Sequence, residues 1–222
     1  MNMVAMKQAE AGKAPRQKEE RRELPAGWRW VRLGEVCDKQ TGIRDPRLEP
    51  DSAFQYVDIT SVSNVQKCIT ETRTILGKEA PSRARQIIQV NDVIVATTRP
   101  NLNAVALVPA ELDNQICSTG FCVLRAGADI LPEYLFAFVQ HESFINALTD
   151  LVKGALYPAV NDSQVKDQLI PLPPLPEQQR IAAVLKEQMA AVEKARASAE
   201  AELEIINALP SALLRQAFKG EI

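Results

Sequence analysis

The 222-residue sequence is poor in the side chains that most metal and acid–base chemistry needs, with one histidine, four cysteines and 5% aromatic residues. The cysteines, Cys37, Cys68, Cys117 and Cys122, lack the paired C-x2-C spacing of a zinc site, which argues against a structural metal. His141 lies in YLFAFVQHESFINAL, where the helix-period apolar pattern favours a packed or surface residue over a ligand or general base. No apolar run approaches the roughly 20 residues that a membrane-crossing helix requires. The opening MNMVAMKQAEAGKAPRQKEERRE has neither the apolar centre nor the cleavage site of a secretory signal, so a cytoplasmic location is expected. Net charge is −2, from 26 basic and 28 acidic residues, so only local clusters could attract a polyanion.

Catalytic scaffolds are missing as well. The chain has no G-x-G-x-x-G or G-x-x-x-x-G-K-[ST] phosphate loop and no G-x-S-x-G elbow. Pro50-Asp51 opens a nuclease-like pattern, but no lysine follows an acid by two positions. The double proline of LPPLPEQ has no preceding acid or amide and no following aromatic, unlike the base-cradling motif of DNA amino-methyltransferases. A non-catalytic protein is expected.

Three regions differ in composition. Residues 1–23 carry six basic and four acidic residues and little apolar matter, which predicts a mobile tail. Residues 24–172 contain short β-branched or aromatic runs (FQYVDITSV, QIIQVNDVIVATT, AVALVPA, GFCVLRA) separated by Pro, Gly, Asn and Asp. LPEYLFAFVQHESFINALTDLVKG then shifts to helical spacing, between Pro132 near its start and Gly154 at its close. The expected fold class is α+β, a strand-rich domain followed by a long C-terminal helix.

That helix occupies residues 173–222. Pro173, Pro174 and Pro176 set an extended lead-in, and the chain then runs from Glu177 to Ala208 without Gly or Pro, about 48 Å of helix. Leu185, Val192, Ala199, Ile206 and Leu213 repeat every seven residues, flanked by Ile181, Ala195 and Leu209. Such a stripe either folds back on its own domain or pairs with another helix as a coiled-coil arm, and its length favours pairing. Pro210 is expected to break or kink the helix, leaving SALLRQAFK as a short terminal helix that stops at Gly220.

Three loops hold residue types that grip phosphate or read base edges. DKQTGIRDPR contributes Lys39, Gln40, Thr41, Arg44 and Arg47; TRTILGKEAPSRARQ contributes Arg73, Lys78, Arg83 and Arg85; TTRPNLN contributes Thr97, Thr98, Arg99, Asn101 and Asn103. The same types fill ordinary solvated turns, so the composition alone leaves both readings open.

In order along the chain, LPAGWRWVRLGEV, FQYVDITSVS, PSRARQIIQVNDVIVATTRPNLNAVALVP, STGFCVLRA, YPAVNDSQVKDQLIPLPPLPEQQRIAAVL and ALLRQAFKGEI resemble the DNA specificity (S) subunits of type I restriction–modification enzymes. The resemblance covers about residues 24–222 and is most specific at LPPLPEQQRIAAVL and the AFKGEI end. Family members carry two target-recognition domains, each followed by a conserved helix, the two helices lying antiparallel as a spacer. This chain has one of each and is similar to a half-size S subunit, which implies a homodimer through antiparallel helices, with Ile181, Leu185, Val192, Ala199 and Ile206 in the seam. The resemblance further implies double-stranded DNA as ligand, methyltransferase (M) subunits that bind S-adenosylmethionine, and a restriction (R) subunit that uses ATP and magnesium. This chain itself is expected to bind no cofactor and no membrane. A protein–protein adaptor with the same arm and a peptide-reading domain is the rival expectation.

Overall fold

The computed structural model describes residues 23–220; the tail expected over residues 1–23 lies outside them except for Glu23. The chain enters through β1 (Arg29–Arg32) and the short helix α1 (Leu33–Val36). Then follow β2 (Ala53–Val57), β3 (Val62–Ser63), β4 (Cys68–Ile69), β5 (Arg73–Leu76), β6 (Ala84–Ile88), β7 (Val93–Ala96), β8 (Val105–Leu107), β9 (Gln115–Ser118) and β10 (Phe121–Leu124). Three helices, α2 (Pro132–Val139), α3 (Glu142–Leu151) and α4 (Asp162–Lys166), precede β11 (Leu169–Leu172) and the terminal helix α5 (Leu175–Lys219). The strand-rich α+β domain with a long terminal helix agrees with the expectation from sequence.

The strands form two main sheets, ordered β5-β2-β9-β6 and β10-β7-β8, with β2 and β9 parallel and the other pairs antiparallel. QIIQVNDVIVATT reads as one run, yet it supplies strands to both sheets. Asn91 turns left-handed at φ 68°, and the Asp92 amide donates to the Gln89 carbonyl, so β6 and β7 diverge there. Val57, Ile88, Ile94, Ala106, Cys117, Phe121 and Val123 fill one core between the sheets. A second core joins Val95, Val105, Cys122 and Leu124 to Leu135, Val139, Phe144 and Leu148 of α2 and α3.

The expected single helical stretch from Pro132 is two helices. His141 has an extended backbone, and its Nδ1 accepts the Ser143 amide at 3.2 Å, so it caps α3 and interrupts the helical run. The lone histidine is an exposed cap.

The two ends of the domain meet. β1 pairs antiparallel with β11, Arg29 opposite Leu172, which delivers the chain to the start of α5 beside its own N-terminal strand. Gln178, in the first turns of α5, is fully buried: its side-chain nitrogen donates to the carbonyls of Asp129 and Pro173, and its oxygen accepts the Leu131 amide, all at 2.9 Å. Ile181, expected in the pairing seam, instead packs partly buried against the domain core.

Beyond that root the helix stands clear. Residues 183–220 are all exposed, including Leu185, Met189, Val192, Ile206, Leu209 and Leu213. Pro210 does not end the helix as expected; α5 continues through it to Lys219 and closes on Gly220 at φ 73°. Proline removes one backbone donor, here the partner of the solvent-exposed Ile206 carbonyl. The good helix formers on both sides sustain the remaining ladder. At 1.5 Å per residue the helix is about 68 Å long, and its outer part has no contact with the domain that could repay so much ordered apolar surface.

Candidate nucleic-acid interface

The first basic loop is not free. β6 is an edge strand with unpaired backbone groups, and residues 42–44 lie along it: the Ile87 amide donates to the Gly42 carbonyl and the Arg44 amide to the Arg85 carbonyl, both at 2.8 Å. This places Arg44 and Arg47 beside Arg85. Asp45 then caps the tight turn Pro46–Leu48 and holds Arg47 by two side-chain hydrogen bonds of 3.0 and 2.9 Å, with Arg85 at 3.3 Å. The Arg47 hydrogen bond is the chief reason that the Asp45 carboxyl is held down to about 2. Arg44 pairs with Glu49. The turn is supported from below by Gly77, where an added Cβ would lie 2.2 Å from the Glu49 carbonyl oxygen and 2.3 Å from that of Pro46.

Lys39, Gln40 and Thr41 precede this edge and are exposed or half-exposed. Arg73 stands on β5, at the opposite edge of the four-stranded sheet, and is paired with Asp58. The sheet therefore separates Arg73 from Arg83 and Arg85. The nearby carboxylates also leave four of the candidate arginines paired: Arg44, Arg47, Arg73 and Arg85.

Arg83 and the third loop do converge. The turn between β9 and β10 joins them, since the Thr119 amide donates to the Arg83 carbonyl and the Gly120 carbonyl accepts from both the amide and the hydroxyl of Thr97, each at 2.9 Å. Thr97 is thereby buried, with its hydroxyl donating inward. Asn103 is also buried, and its side-chain nitrogen has no partner among the described residues. Arg99 and Asn103 are both left-handed, at φ 50° and 46°, and bracket the tight turn Pro100–Leu102. Arg99 and Asn101 are exposed and Thr98 is half-buried. Arg83 and Arg99 have no carboxylate partner among the described residues.

Two flanking segments were not singled out by sequence. The Lys67 ammonium, in the turn between β3 and β4, donates to the Asn103 carbonyl at 2.7 Å and clamps the third loop from one side. From the other side residues 158–160 bind it as a short strand: the Arg99 amide donates to the Pro158 carbonyl at 2.8 Å, Thr98 bridges to Ala159, and the Val160 amide donates to the Thr97 carbonyl at 2.9 Å. Just before them, Leu156 and Tyr157 are 87% and 86% exposed. An aromatic directly before proline in a glycine-opened loop was the available signal. No group of His, Cys, Asp and Glu suited to a metal ion occurs among the described residues.

Comparison with known proteins fits this arrangement. The family model described as "Type I restriction modification DNA specificity domain" matches residues 25–203, the whole strand-rich domain and the first part of α5. The specificity subunit of the type I restriction enzyme EcoDI of Escherichia coli is 22% identical over 199 residues, covering 90% of this chain and 43% of that protein. The StySPI specificity subunit of Salmonella potsdam is 25% identical over 208 residues, covering 91% and 45%. Among solved structures, the HsdS subunit from Thermoanaerobacter tengcongensis is 49% identical and superposes with a TM-score of 0.72 over 83% of this chain and 48% of its own. The chain thus spans about half the length of these relatives. It belongs to the family of type I restriction–modification DNA specificity domains.

Proposed function

We propose that this chain is a non-catalytic specificity subunit that reads one half of a bipartite target in double-stranded DNA. The observation that carries the reading is the family match from residue 25 to residue 203, which takes in the domain and its junction with the helix. Exposed Lys39, Gln40, Arg83, Arg99 and Asn101, with half-buried Thr98, are the contacts, and Arg44, Arg47, Arg73 and Arg85 engage phosphate after exchanging their carboxylates. Methylation belongs to M subunits with S-adenosylmethionine, and cleavage to an R subunit with ATP and magnesium. The chain binds none of these cofactors itself and works with its partners in the cytoplasm, scaffolding them around its arm.

A second copy covers the arm. The exposed stripe through Leu185, Val192, Ala199 and Ile206 supports antiparallel pairing about a two-fold axis, which presents two identical readers to a palindromic, interrupted site. The alanines at 190, 191, 195, 197, 199 and 201 let the helices approach closely.

Enrichment of bound duplexes from a random library, with the chain in complex with its methylating partner, tests the proposal. Recovery of one interrupted motif, with affinity falling as salt rises, is the expected result. A pool that stays random, or a complex that binds no duplex, would overturn it and leave the adaptor reading.

A further inference from the structure

We propose that Leu156 and Tyr157 form a wedge that enters the DNA duplex at a base step, with Arg99 and Lys153 on the flanking phosphates. The inference rests on the DNA-reading role proposed above and assigns a site to a loop that lies outside the three basic segments.

The loop is built so that only its tip projects. α3 ends at Leu151, the Ala155 amide donates to the Val152 carbonyl, and Gly154 turns left-handed at φ 82° with open space around it. Leu156 and Tyr157 follow, almost fully exposed. The chain is then fastened at once by the three backbone links from Pro158, Ala159 and Val160 to residues 97–99, and Val160 is buried. Two large apolar side chains are therefore displayed on a base that is hydrogen-bonded to the Arg99 loop. Leu102, 45% exposed, lies in that same loop.

Charge selects the kind of partner. Residues 97–103 and 153–160 contain Arg99 and Lys153 and not one carboxylate, in a chain with 28 acidic residues. Arg44, Arg47, Arg73 and Arg85 are matched by acids, whereas this tip carries its cations with no carboxylate in the same two segments, which suits a polyanion. Size points the same way. A stable protein–protein interface needs about 1,000 Å² or more of buried surface, whereas two projecting side chains match the space opened by unstacking one base step. Apolar wedges flanked by arginine or lysine enter duplexes in this manner, and a tyrosine ring adds a stacking face that tolerates any base.

The probe is the duplex that wild-type complex enriches from the random pool, carrying a fluorescent adenine analogue at each adenine in turn. Wild type should brighten the analogue at one step of each half-site, through unstacking, besides the target adenine that the methylating partner extrudes. The double variant Leu156→Ala, Tyr157→Ala should lose that signal and bind about 10-fold to 100-fold more weakly, while Tyr157→Phe keeps both. Both variants should melt as wild type does, because the two side chains are almost fully exposed among the described residues. Unchanged affinity and fluorescence in the double variant would overturn the wedge while leaving the DNA reading intact. So would loss of the methylating partner with DNA binding unaltered, which would assign the tip to a protein contact. A wild-type complex that enriches no duplex would instead remove the DNA reading itself.

Discussion

The side-chain oxygen of Gln178 accepts the backbone amide of Leu131 at 2.9 Å across 47 positions of the chain. With its nitrogen on the Asp129 and Pro173 carbonyls, this one amide uses both its ends to lock the arm to the domain. Gln178→Leu would strand one buried amide and two carbonyls, and should lower unfolding free energy by about 3 kcal/mol. Urea titration followed by circular dichroism measures it, and a loss under about 1 kcal/mol would show that the junction is held by packing alone.

Helix pairing is tested at Val192, exposed and far from the domain. Val192→Glu should shift the molar mass seen by light scattering from dimer to monomer without altering the domain. A wild-type monomer at micromolar concentration would count against the two-copy arrangement.

Asp45 binds the guanidinium groups that are proposed to meet phosphate. Asp45→Asn should free Arg47 and Arg85 and raise affinity for a random duplex several-fold at low salt, with a steeper salt dependence. The same carboxylate sets an acid limb. Its folded value of about 2 lies below the ordinary 3.8, so its contribution to stability is fully present above pH ~4 and is lost as pH falls through about 2. The acid-unfolding limb of Asp45→Asn should be correspondingly shallower; an identical limb in both proteins would mean that Asp45 is equally paired in the unfolded chain.

Arg99 has no intramolecular side-chain partner among the described residues, so Arg99→Ala should leave the melting curve unchanged and weaken binding to the enriched duplex by about 10-fold or more. Equal affinity would remove Arg99 from the interface.

The cysteines should separate into two classes. Cys68 is exposed; Cys37, Cys117 and Cys122 are buried, and burial pushes the Cys37 thiol up to about 12 and the other two higher still. A thiol reagent at pH 8 should modify one group rapidly in the native protein and all four in denaturant. Rapid reaction of two or more native thiols would contradict the packing around β10.

Much of the domain was legible because its patterns are local. FQYVD, AVALVP and GFCVL alternate or cluster apolar residues over strand-length runs, and each lies in or overlaps a strand. The split of QIIQVNDVIVATT was not legible as a change of sheet, since Asn91-Asp92 marks a turn in any strand pairing. His141 fits a helical face equally well as a cap, and only the turn geometry separates the two. The candidate contacts were chosen by residue type, which is silent about pairing: nothing within DKQTGIRDPR shows that Asp45 faces Arg85, forty positions away.

Sequence by itself determined the arm, because a helix of alanine, leucine and charged residues without interior glycine is specified by neighbours a few positions apart, and the absence of known catalytic motifs, which is a matter of composition and spacing. Tertiary structure alone decided which basic residues carry a carboxylate, that Thr97 and Asn103 turn inward, and that Tyr157 stands beside Arg99. Those facts arise where β6, the β9–β10 turn and the loop after α3 come together, and such long-range contacts depend on the packing of both sheets, which no local stretch of sequence encodes.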